Sequence, residues 1–336
     1  MDILSLQNEL KVYSEIIINP DSFYGDVKNA IEKLHALFVQ CGAIDGNVEN
    51  LNDEGTFLPG GLALSPIIAA RCAFDLARTR TFVQGITKAF KALRRDQNPL
   101  QILYAGCGPY ALLAVLSTPF FNPKEIQFTL LDIHQESLTS CRNIIKAFGL
   151  EEYFAEINVS DATKYTWKNE TSLDVILFET MQPGLKKETQ VTIAANLIPQ
   201  LAIHGIMLPQ NVEVKVVLVH EGARNALRMG IVTDNSNEDQ IVLGTILSLN
   251  KNTALKIAGN EWGSVKYLLP AYLLKSPYVL ELQTIVTVWE NAIIKDNESA
   301  ITMPVKLTDA QELKGKTYLE LEYVNGKNPG IIWKAL

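Results

Sequence analysis

The sequence predicts an α/β protein with a parallel sheet at its centre, a helical region before it and an antiparallel, barrel-like β region after it. In the middle of the chain, short apolar runs alternate with helical patterns, which is typical of βαβ units. Helical spacing precedes this stretch, and repeated β-type runs follow it. The predicted regions are 1–95, 96–209 and 210–336.

The first region has two series of apolar residues at helical spacing. They are Ile31, Leu34 and Phe38, followed by Phe82, Ile86 and Phe90. A Gly- and Pro-rich break at 57–66 separates the two helical groups. One hypothesis is that these helices form a lid over a site for a small substrate, since closure is a common way to exclude water.

The middle region contains the apolar runs of a sheet that is buried on both faces. These runs are QILYAG, QFTLLD, FAEINV and LDVILFE, at 101–106, 127–132, 154–159 and 173–179. The last region is rich in Val, Ile, Thr and Tyr between Asn, Gly and Asp turns, which favours antiparallel strands. Its runs are VEVKVVLV, QIVLGTILSL, YVLELQTIVTVW, SAITMPVKL and TYLELEYV, beginning at 212, 240, 278, 299 and 317.

Composition restricts the class of protein. With 47% hydrophobic and 20% charged residues, the chain resembles an ordinary globular protein. Its N-terminus is acidic where a signal peptide would be basic, and no apolar run is long enough for a membrane span, so we predict a soluble, cytoplasmic protein. A net charge of −7 without a Lys/Arg stripe argues against a nucleic-acid partner and suits a cationic substrate.

Cysteine and histidine positions do not indicate a metal site. The cysteines form no C-x-x-C pair, and the histidines lack the spacing of metal ligands. These residues are Cys41, Cys72, Cys107 and Cys141, and His35, His134, His204 and His220. We therefore predict reduced thiols and no metal.

A glycine turn, Gly106-Cys107-Gly108-Pro109, ends the first apolar run and precedes a helical pattern from Ala111 to Leu116. Glycine has no Cβ, so the backbone of such a turn can approach a ligand closely. Two alternatives stay open at this point. One is a dinucleotide site, because Ala111 can fill the place of a third glycine. The other is a tight turn without a ligand.

The turn and the following run FTLLDIHQESL resemble motif I and its successor in class I S-adenosylmethionine-dependent methyltransferases, which have a Rossmann-like sheet. The resemblance implies that Gly106 and Gly108 lie against the methionine part of S-adenosylmethionine, which leaves the reaction as S-adenosylhomocysteine. It implies that Asp132 binds both ribose hydroxyls, and that Asp161 lies near the adenine amino group.

Neighbours of these residues, Cys107, Ile133 and Ala162, are expected to line the same cofactor site. Two positions depart from the family pattern. Tyr104 stands where the first strand usually ends in an acid, and Tyr110 replaces the third motif glycine.

Two glutamates, Glu179 and Glu188, lie nine positions apart around a Pro-Gly turn after the fourth run. A pair of carboxylates suits a planar guanidinium, which presents its N–H donors as a fork. The spacing resembles the double-glutamate loop of the protein arginine methyltransferases. Asp75-Leu-Ala-Arg78-Thr79 resembles that family's D-x-x-R-T helix, which implies that Arg78 pairs with the cofactor carboxylate.

The segment from His204 to Pro209 resembles the G-G-x-x-x-P segment that leads into the family's β-barrel. The family's Y-F-x-x-Y helix is not visible, and its T-H-W loop has no match around 301–307. The β region is also shorter, which leaves little room for the arm that those enzymes use to dimerise. These differences favour a small acceptor over a protein and leave a homodimer open.

Each singled-out side chain also has an ordinary structural alternative. Glu179 could cap a backbone N–H, since acids are common near helix N-termini. Glu188 could face solvent beside Lys186 and Lys187, and Arg78 could be a surface arginine.

The predicted function is N-methylation of a guanidino nitrogen in a small molecule such as free L-arginine, with Glu179 and Glu188 catalytic and Glu179 also expected to bind the cofactor. A small guanidino or amine compound is the expected partner, with no membrane partner. Two alternatives remain. One is methylation of protein arginine, and the other is aminopropyl transfer as in nicotianamine synthases, whose G-S-G-P turn the segment 106–109 resembles.

Overall fold

The computed structural model describes residues 2–47, 55–95, 98–229, 239–259, 261, 263–271 and 277–336. The predicted start of the middle region, residue 96, lies outside the described residues. Among the described residues, no helix combines the length and the apolar character that crossing a membrane would require.

Helices dominate the first part of the chain. They are α1 (Ile3–Ile18), α2 (Tyr24–Gly42), α3 (Pro66–Arg71) and α4 (Leu76–Leu93). Both apolar series predicted at helical spacing are buried, the first on α2 and the second on α4. Burying each of these large side chains stabilises the fold by roughly 1.5–3 kcal/mol, so amphipathic spacing alone is enough to orient the two helices. The two helical series are therefore confirmed.

The predicted break at 57–66 contains a β-hairpin. Strands β1 (Gly55–Leu58) and β2 (Gly61–Leu64) pair antiparallel through a two-residue turn. Helix α3 begins directly afterwards, with the Oγ of Ser65 accepting from the Ile68 N–H and Pro66 in the first turn. Proline is favoured there because the first N–H of a helix has no partner within the helix. The break between the two helical groups is thus a short hairpin, which the sequence analysis did not predict.

A parallel sheet occupies the middle of the chain. Its strands are β3 (Leu100–Ala105), β4 (Ile126–Asp132), β5 (Phe154–Val159), β6 (Val175–Phe178) and β7 (Ile206–Leu208). The strand order is β5-β4-β3-β6-β7. From β3 the chain runs outward through β4 and β5, and then returns to the other side of β3 for β6 and β7. Ligands bind at the carboxyl ends of strands beside such a reversal of order.

Every residue of β3 is buried, as expected for a parallel sheet covered on both faces. The helices of this region are α5 (Leu112–Ser117), α6 (Gln135–Ala147) and α7 (Gln190–Leu197). Helix α4 contacts α5 on one side and the later antiparallel strands on another. It therefore joins the parallel sheet to the β region.

Antiparallel strands form two sheets in the last region. The strands are β8 (Asn211–His220), β9 (Gln240–Leu249), β10 (Val265–Leu268), β11 (Tyr278–Trp289), β12 (Ala292–Ile294), β13 (Val305–Asp309), β14 (Tyr318–Val324) and β15 (Gly330–Ala335). One sheet has the order β12-β11-β8-β9, with β13 also paired to β11, and the other has the order β10-β14-β15. The predicted antiparallel β region is confirmed.

Two features of this region differ from the predicted run of strands. Helices α8 (Glu221–Arg228) and α9 (Lys251–Ala258) follow β8 and β9. The run SAITMPVKL is a strand only from Val305, because its first residues form a 3-10 turn at Ala300–Thr302. The side chain of Ser299 caps this turn, and Ser is a residue that favours such caps over strand pairing.

Candidate active site

The predicted site residues meet at the carboxyl ends of adjacent parallel strands. Gly106 follows β3, Asp132 ends β4, Asp161 lies two residues after β5 and Glu179 follows β6 directly. They line one cleft with about 1010 Å³ of empty space, part of it open to solvent.

The cleft brings together every residue predicted for the cofactor or the acceptor. These residues are Arg78, Gly106, Cys107, Gly108, Asp132, Ile133, Asp161, Ala162, Glu179 and Glu188. Residues that the sequence analysis did not assign also line it, among them Cys72, Tyr104 and His134, and Leu58, Leu62 and Leu64 of the hairpin.

The glycine turn joins three strands. Gly106 has a φ of 67°, and a Cβ there would lie 2.4 Å from the Cγ2 of Thr180, so a side chain would be both strained and obstructed. The N–H groups of Gly106 and Cys107 donate to the Leu131 carbonyl at 2.9 and 3.0 Å. The end of β3 is thereby fixed against β4 and against the residues that follow β6.

Asp132 connects the loops at this end of the sheet. Its Oδ2 accepts from the Gly108 N–H at 3.0 Å, and its Oδ1 accepts from the His134 N–H at 2.9 Å. The residue is only 8% exposed. A carboxylate has about four acceptor sites, so two backbone donors leave capacity for hydroxyl donors in the cleft.

His134 extends this network to the hairpin. Its Nε2 lies 3.1 Å from the Oγ1 of Thr56, and its Nδ1 lies 3.4 Å from the Oδ1 of Asp132. His134 thus lies between the hairpin and the acid at the end of β4.

Asp161 forms a turn at the edge of the cleft. Its Oδ1 accepts from the N–H and the hydroxyl of Thr163, at 2.9 and 2.6 Å. Its Oδ2 lies 3.8 Å from the Nζ of Lys164. The next residue, Ala162, is held through its carbonyl, which accepts from the Nδ2 of Asn196 at 2.9 Å.

Arg78 and Glu179 form an ion pair inside the cleft. The Nη2 of Arg78 donates to the Oε2 of Glu179, and the two side chains are 13% and 9% exposed. The Oε1 of Glu179 is buried and has no hydrogen-bond partner among the described residues. Arg78 is therefore not a surface arginine, and Glu179 accepts from a side chain rather than capping a helix.

Glu188 lies in the same cluster and is 5% exposed, so it does not face solvent. Burial raises the pKa of Glu188 to about 8 and that of Glu179 to about 7, although the charge of Arg78 acts in the opposite direction on both. Burial also lowers the pKa of Arg78, but Cys72, Glu179 and Glu188 together raise it above its ordinary value. Among the described residues, Arg78 is thus the cation that acts on both carboxyl groups, and burial outweighs its effect on each.

The loop that carries both acids is braced from several sides. The Oε1 of Gln190 accepts from the N–H and hydroxyl of Thr180, at 2.9 and 3.0 Å, and its Nε2 donates to the Phe178 carbonyl at 3.4 Å. Farther along the loop, the Gly184 N–H donates to the Oγ1 of Thr284 on β11 at 2.8 Å. The backbone on both sides of Glu179 is thus held by one buried amide.

Comparison with known proteins identifies the fold. No family model matches the chain, and no curated protein matches its sequence. A solved structure of Trypanosoma brucei, the PRMT1 enzyme-prozyme heterotetrameric complex with AdoHcy, is similar with a TM-score of 0.52. It is 14% identical, and the similarity covers 79% of this chain and 91% of that one.

The chain shares the fold of this solved structure. The similar structure is a PRMT1, and here as there a mixed α/β fold is present, with a Rossmann-like parallel sheet before an antiparallel β region. The fold class predicted from the sequence is confirmed. At 14% identity the likeness establishes the fold alone, so the roles of the cleft residues remain predictions.

Several residues of this site were not found by sequence reasoning. Gln190 carries no motif and is recognisable only because it is a fully buried amide beside the acid loop. The segment 299–302, close to where the T-H-W loop was sought, contacts the start of α4. The Oγ of Ser299 and the N–H of Ala300 donate to the Oδ2 of Asp75, at 2.6 and 2.8 Å.

Proposed function

We propose that the protein is an S-adenosylmethionine-dependent N-methyltransferase that methylates a guanidino nitrogen of a small molecule such as free L-arginine. The observation that carries this proposal is a buried cluster in which Arg78, among the described residues, is the cation that acts on both Glu179 and Glu188. When both acids are ionised, the cluster has one net negative charge. A guanidinium would balance that charge.

The described residues fit S-adenosylmethionine. Gly108 has a φ of 66°, and a Cβ there would meet only the Cβ of Ala69, at 3.6 Å, so the turn is open on its cleft side. In this proposal Gly106 and Gly108 contact the methionine part, Asp132 binds the ribose, and Asp161 lies near the adenine. The similarity in fold to a PRMT1 that is complexed with AdoHcy supports this cofactor.

Arg78 can serve two partners. Its Nη2 donates to Glu179. A guanidinium has five N–H donors, so further donors remain for the carboxylate of the cofactor. The same arginine would then link the cofactor to the acid that binds the acceptor.

The acceptor is expected to bind the free oxygen of Glu179 and the carboxyl group of Glu188. An unpaired buried oxygen costs about 1–3 kcal/mol, which a guanidinium N–H would offset at the Oε1 of Glu179. Because an opposite charge favours the ionised form of a carboxyl group, a bound guanidinium would lower both raised pKa values. Binding and ionisation of the two acids would therefore support each other.

Glu179 and Glu188 would also prepare the nitrogen for reaction. A guanidinium has no free lone pair while its charge is delocalised. Two carboxylates on one side localise the charge on the nitrogens that face them, and preorganised charges of this kind commonly contribute several kcal/mol. Bound S-adenosylmethionine supplies a methyl group on a sulfonium sulfur, which departs as the thioether of S-adenosylhomocysteine.

The proton is released after the new N–C bond has formed. At that point the methylated nitrogen carries the full positive charge and is acidic. Glu188, which the bound guanidinium keeps ionised, would take this proton, because burial favours the protonated form of its carboxyl group once the positive charge beside it falls. From Glu188 the proton passes to solvent as the product leaves.

The test is an acceptor panel with methyl-labelled S-adenosylmethionine. It contains free L-arginine, other small guanidino compounds and a basic peptide that contains arginine. We expect labelled methylarginine and S-adenosylhomocysteine with free L-arginine or another small guanidino compound. Labelled peptide alone would support protein arginine as the acceptor, and methylthioadenosine would support aminopropyl transfer. The absence of label in every guanidino compound would overturn the proposal.

A further inference from the structure

The hairpin of β1 and β2 is bonded directly to the loop that carries Glu188. The Leu62 N–H donates to the Lys187 carbonyl at 2.7 Å. Leu62 and Glu188 also form an isolated parallel β-bridge. A strand from the N-terminal part of the chain thereby holds the backbone beside a cleft carboxyl group.

Gly61 is the residue that permits this close approach. Its φ is 134°, and a Cβ there would lie 2.7 Å from the Lys187 carbonyl oxygen and 2.9 Å from the carbonyl carbon of Glu188. The obstructing atoms belong to the backbone and cannot rotate away. An alanine at this position would force the hairpin and the acid loop apart.

The acid loop needs such support because its own backbone is strained. Leu185 and Lys187 have φ values of 55° and 63°, in the left-handed region that favours glycine. Such conformations cost about 1–3 kcal/mol each and persist only where the surrounding structure holds them. The Leu62 bond is one support, and the Lys187 N–H, which donates to the Pro329 carbonyl at 2.8 Å, is another.

The hairpin is also attached at two other points around the cleft. The Oγ1 of Thr192 on α7 donates to the Gly60 carbonyl at 3.2 Å. Thr56 contacts His134 at 3.1 Å, as described above. Between these attachments, Leu58, Leu62 and Leu64 line the cleft. The hairpin thus spans the cleft and contributes an apolar wall to it.

We propose that Gly61 and Leu62 are positioning residues, which hold Glu188 beside Arg78 and Glu179 and enclose the acceptor under the hairpin. This inference rests on the proposed function for the identity of the acceptor. It deepens that function, since an acceptor bound at Glu188 must fit beneath the hairpin. A small guanidino compound would meet this condition.

The main test compares Gly61→Ala with Gly315→Ala. Gly315 also has a positive φ, 85° against 134° at Gly61, but a Cβ there would have nothing within 4 Å, so it controls for replacing a glycine of positive φ without the clash. For Gly61→Ala we expect kcat with the guanidino acceptor to fall by about tenfold or more, with affinity for S-adenosylhomocysteine within about threefold of wild type. Gly315→Ala should match wild type in both. Equal kcat in the two variants would overturn the proposal.

A second variant tests the same proposal in case Gly61→Ala does not fold. Thr192→Val removes the bond to Gly60 but keeps the shape of the side chain. It should keep a wild-type melting temperature within a few degrees and lower kcat with unchanged cofactor affinity. An unchanged kcat in Thr192→Val, together with an unfolded Gly61→Ala, would mean that the hairpin has only a structural role.

A measurement that does not depend on catalysis distinguishes a failure of this proposal from a failure of the proposed function. The carboxyl group of Glu188 can be followed by ¹³C NMR during a pH titration of the wild type and of Gly61→Ala. The charged and titratable groups near it are Arg78, Glu179 and Cys72, and they are the same in both proteins. If Glu188 becomes more solvated in the variant, its pKa should fall from about 8 toward an ordinary value. Identical titrations would overturn the positioning role, whereas a wild type that methylates no guanidino compound would overturn only the proposed function.

Discussion

Glu179 has one oxygen bonded to Arg78 and another that is buried without a partner among the described residues. Glu179→Gln keeps the shape of this side chain and removes its charge. If the charge localises positive charge on the acceptor, kcat should fall by about 100-fold or more while affinity for S-adenosylhomocysteine stays within about threefold. Methyl transfer assays and calorimetry measure the two quantities. Glu151→Gln, at an exposed acid, is the matched control. Turnover of Glu179→Gln near the wild-type rate would contradict a role for the charge.

Glu188 should make the stability of the unliganded protein depend on pH. Its pKa rises from 4.5 to about 8 on folding because the folded state buries it, so between these values the folded state binds the proton and the unfolded state does not. Stability from this group is complete below about pH 4.5 and is lost as the pH rises through about 8. Glu179 acts in the same direction.

The measurement is thermal denaturation of wild type and Glu188→Gln at about pH 5 and about pH 8.5. The wild type should lose more stability than the variant between the two conditions. The comparison with Glu188→Gln removes the contribution of other titrating groups, such as Asp296, whose pKa burial also raises. Parallel pH curves for the two proteins would show that Glu188 ionises normally in the folded state.

The local sequence pattern was enough to predict the acids and glycines of the cleft, because each lies at or near the end of a strand that is recognisable from its apolar run. Asp132 and Glu179 directly end or follow such runs, and parallel strands bring their carboxyl ends to one edge. The pairing of Arg78 with Glu179 was not predicted, since 101 positions separate them in the chain. The support from Gln190 was missed for a different reason, because a buried amide has no sequence signature.

At the scale of elements, the start of α4 connects the cleft to the β region. The Oδ1 of Asp75 caps this helix by accepting from the Arg78 N–H at 3.1 Å, and its Oδ2 accepts from Ser299 and Ala300. Asp75→Ala should therefore lose a helix cap and two contacts between distant segments. Losing a cap alone costs about 0.5–2 kcal/mol.

Asn250→Ala is the control for this prediction, because Asn250 caps α9 through the Thr253 N–H, and its other side-chain bonds, with the Thr253 hydroxyl and the Ser248 Oγ, join only residues within three positions of it. Urea denaturation should show a larger loss of stability for Asp75→Ala than for Asn250→Ala. The excess should be about 1 kcal/mol or more, the size of an ordinary hydrogen bond. Equal losses would mean that the contacts with Ser299 and Ala300 contribute nothing to the fold.

The elements that sequence reasoning missed share a physical cause. The hairpin at 55–64 has glycines and a proline that indicate a break, and only its contacts with the acid loop and His134 show why it forms strands there. The turn at 300–302 lies in a β-type run, yet its cap and its contact with Asp75 outweigh the local preference for a strand. Helices α8 and α9 were not predicted, because each is short and lies between long runs of β-type residues.

At the scale of the whole molecule, the cleft is built from three parts of the chain. The hairpin and α4 come from the first part, the strand ends from the middle, and the acid loop between them is braced by β11. The glycine turn and the strand ends could be predicted from the sequence, because each is formed by residues that are close together in the chain. The other walls of the cleft, such as the hairpin, could not be predicted, because they depend on contacts between segments that are distant in the chain.

A homodimer stays a prediction that the size of the protein in solution would test.

Because these parts meet around one cleft, a ligand bound there should stabilise all of them together. S-adenosylhomocysteine at about 100 times its Kd would add about 2.7 kcal/mol to the free energy of unfolding. For a chain of 336 residues, with an unfolding entropy of about 2.1 cal/mol/K per residue, that corresponds to a rise in Tm of roughly 4 °C. Asp132→Ala should reduce the rise at the same ligand concentration, since it removes the acid expected to bind the ribose. The variant's Tm without ligand reports separately on the lost bonds to Gly108 and His134. A full rise in the variant would exclude Asp132 from the binding site, and no rise in the wild type would refute S-adenosylmethionine as the cofactor.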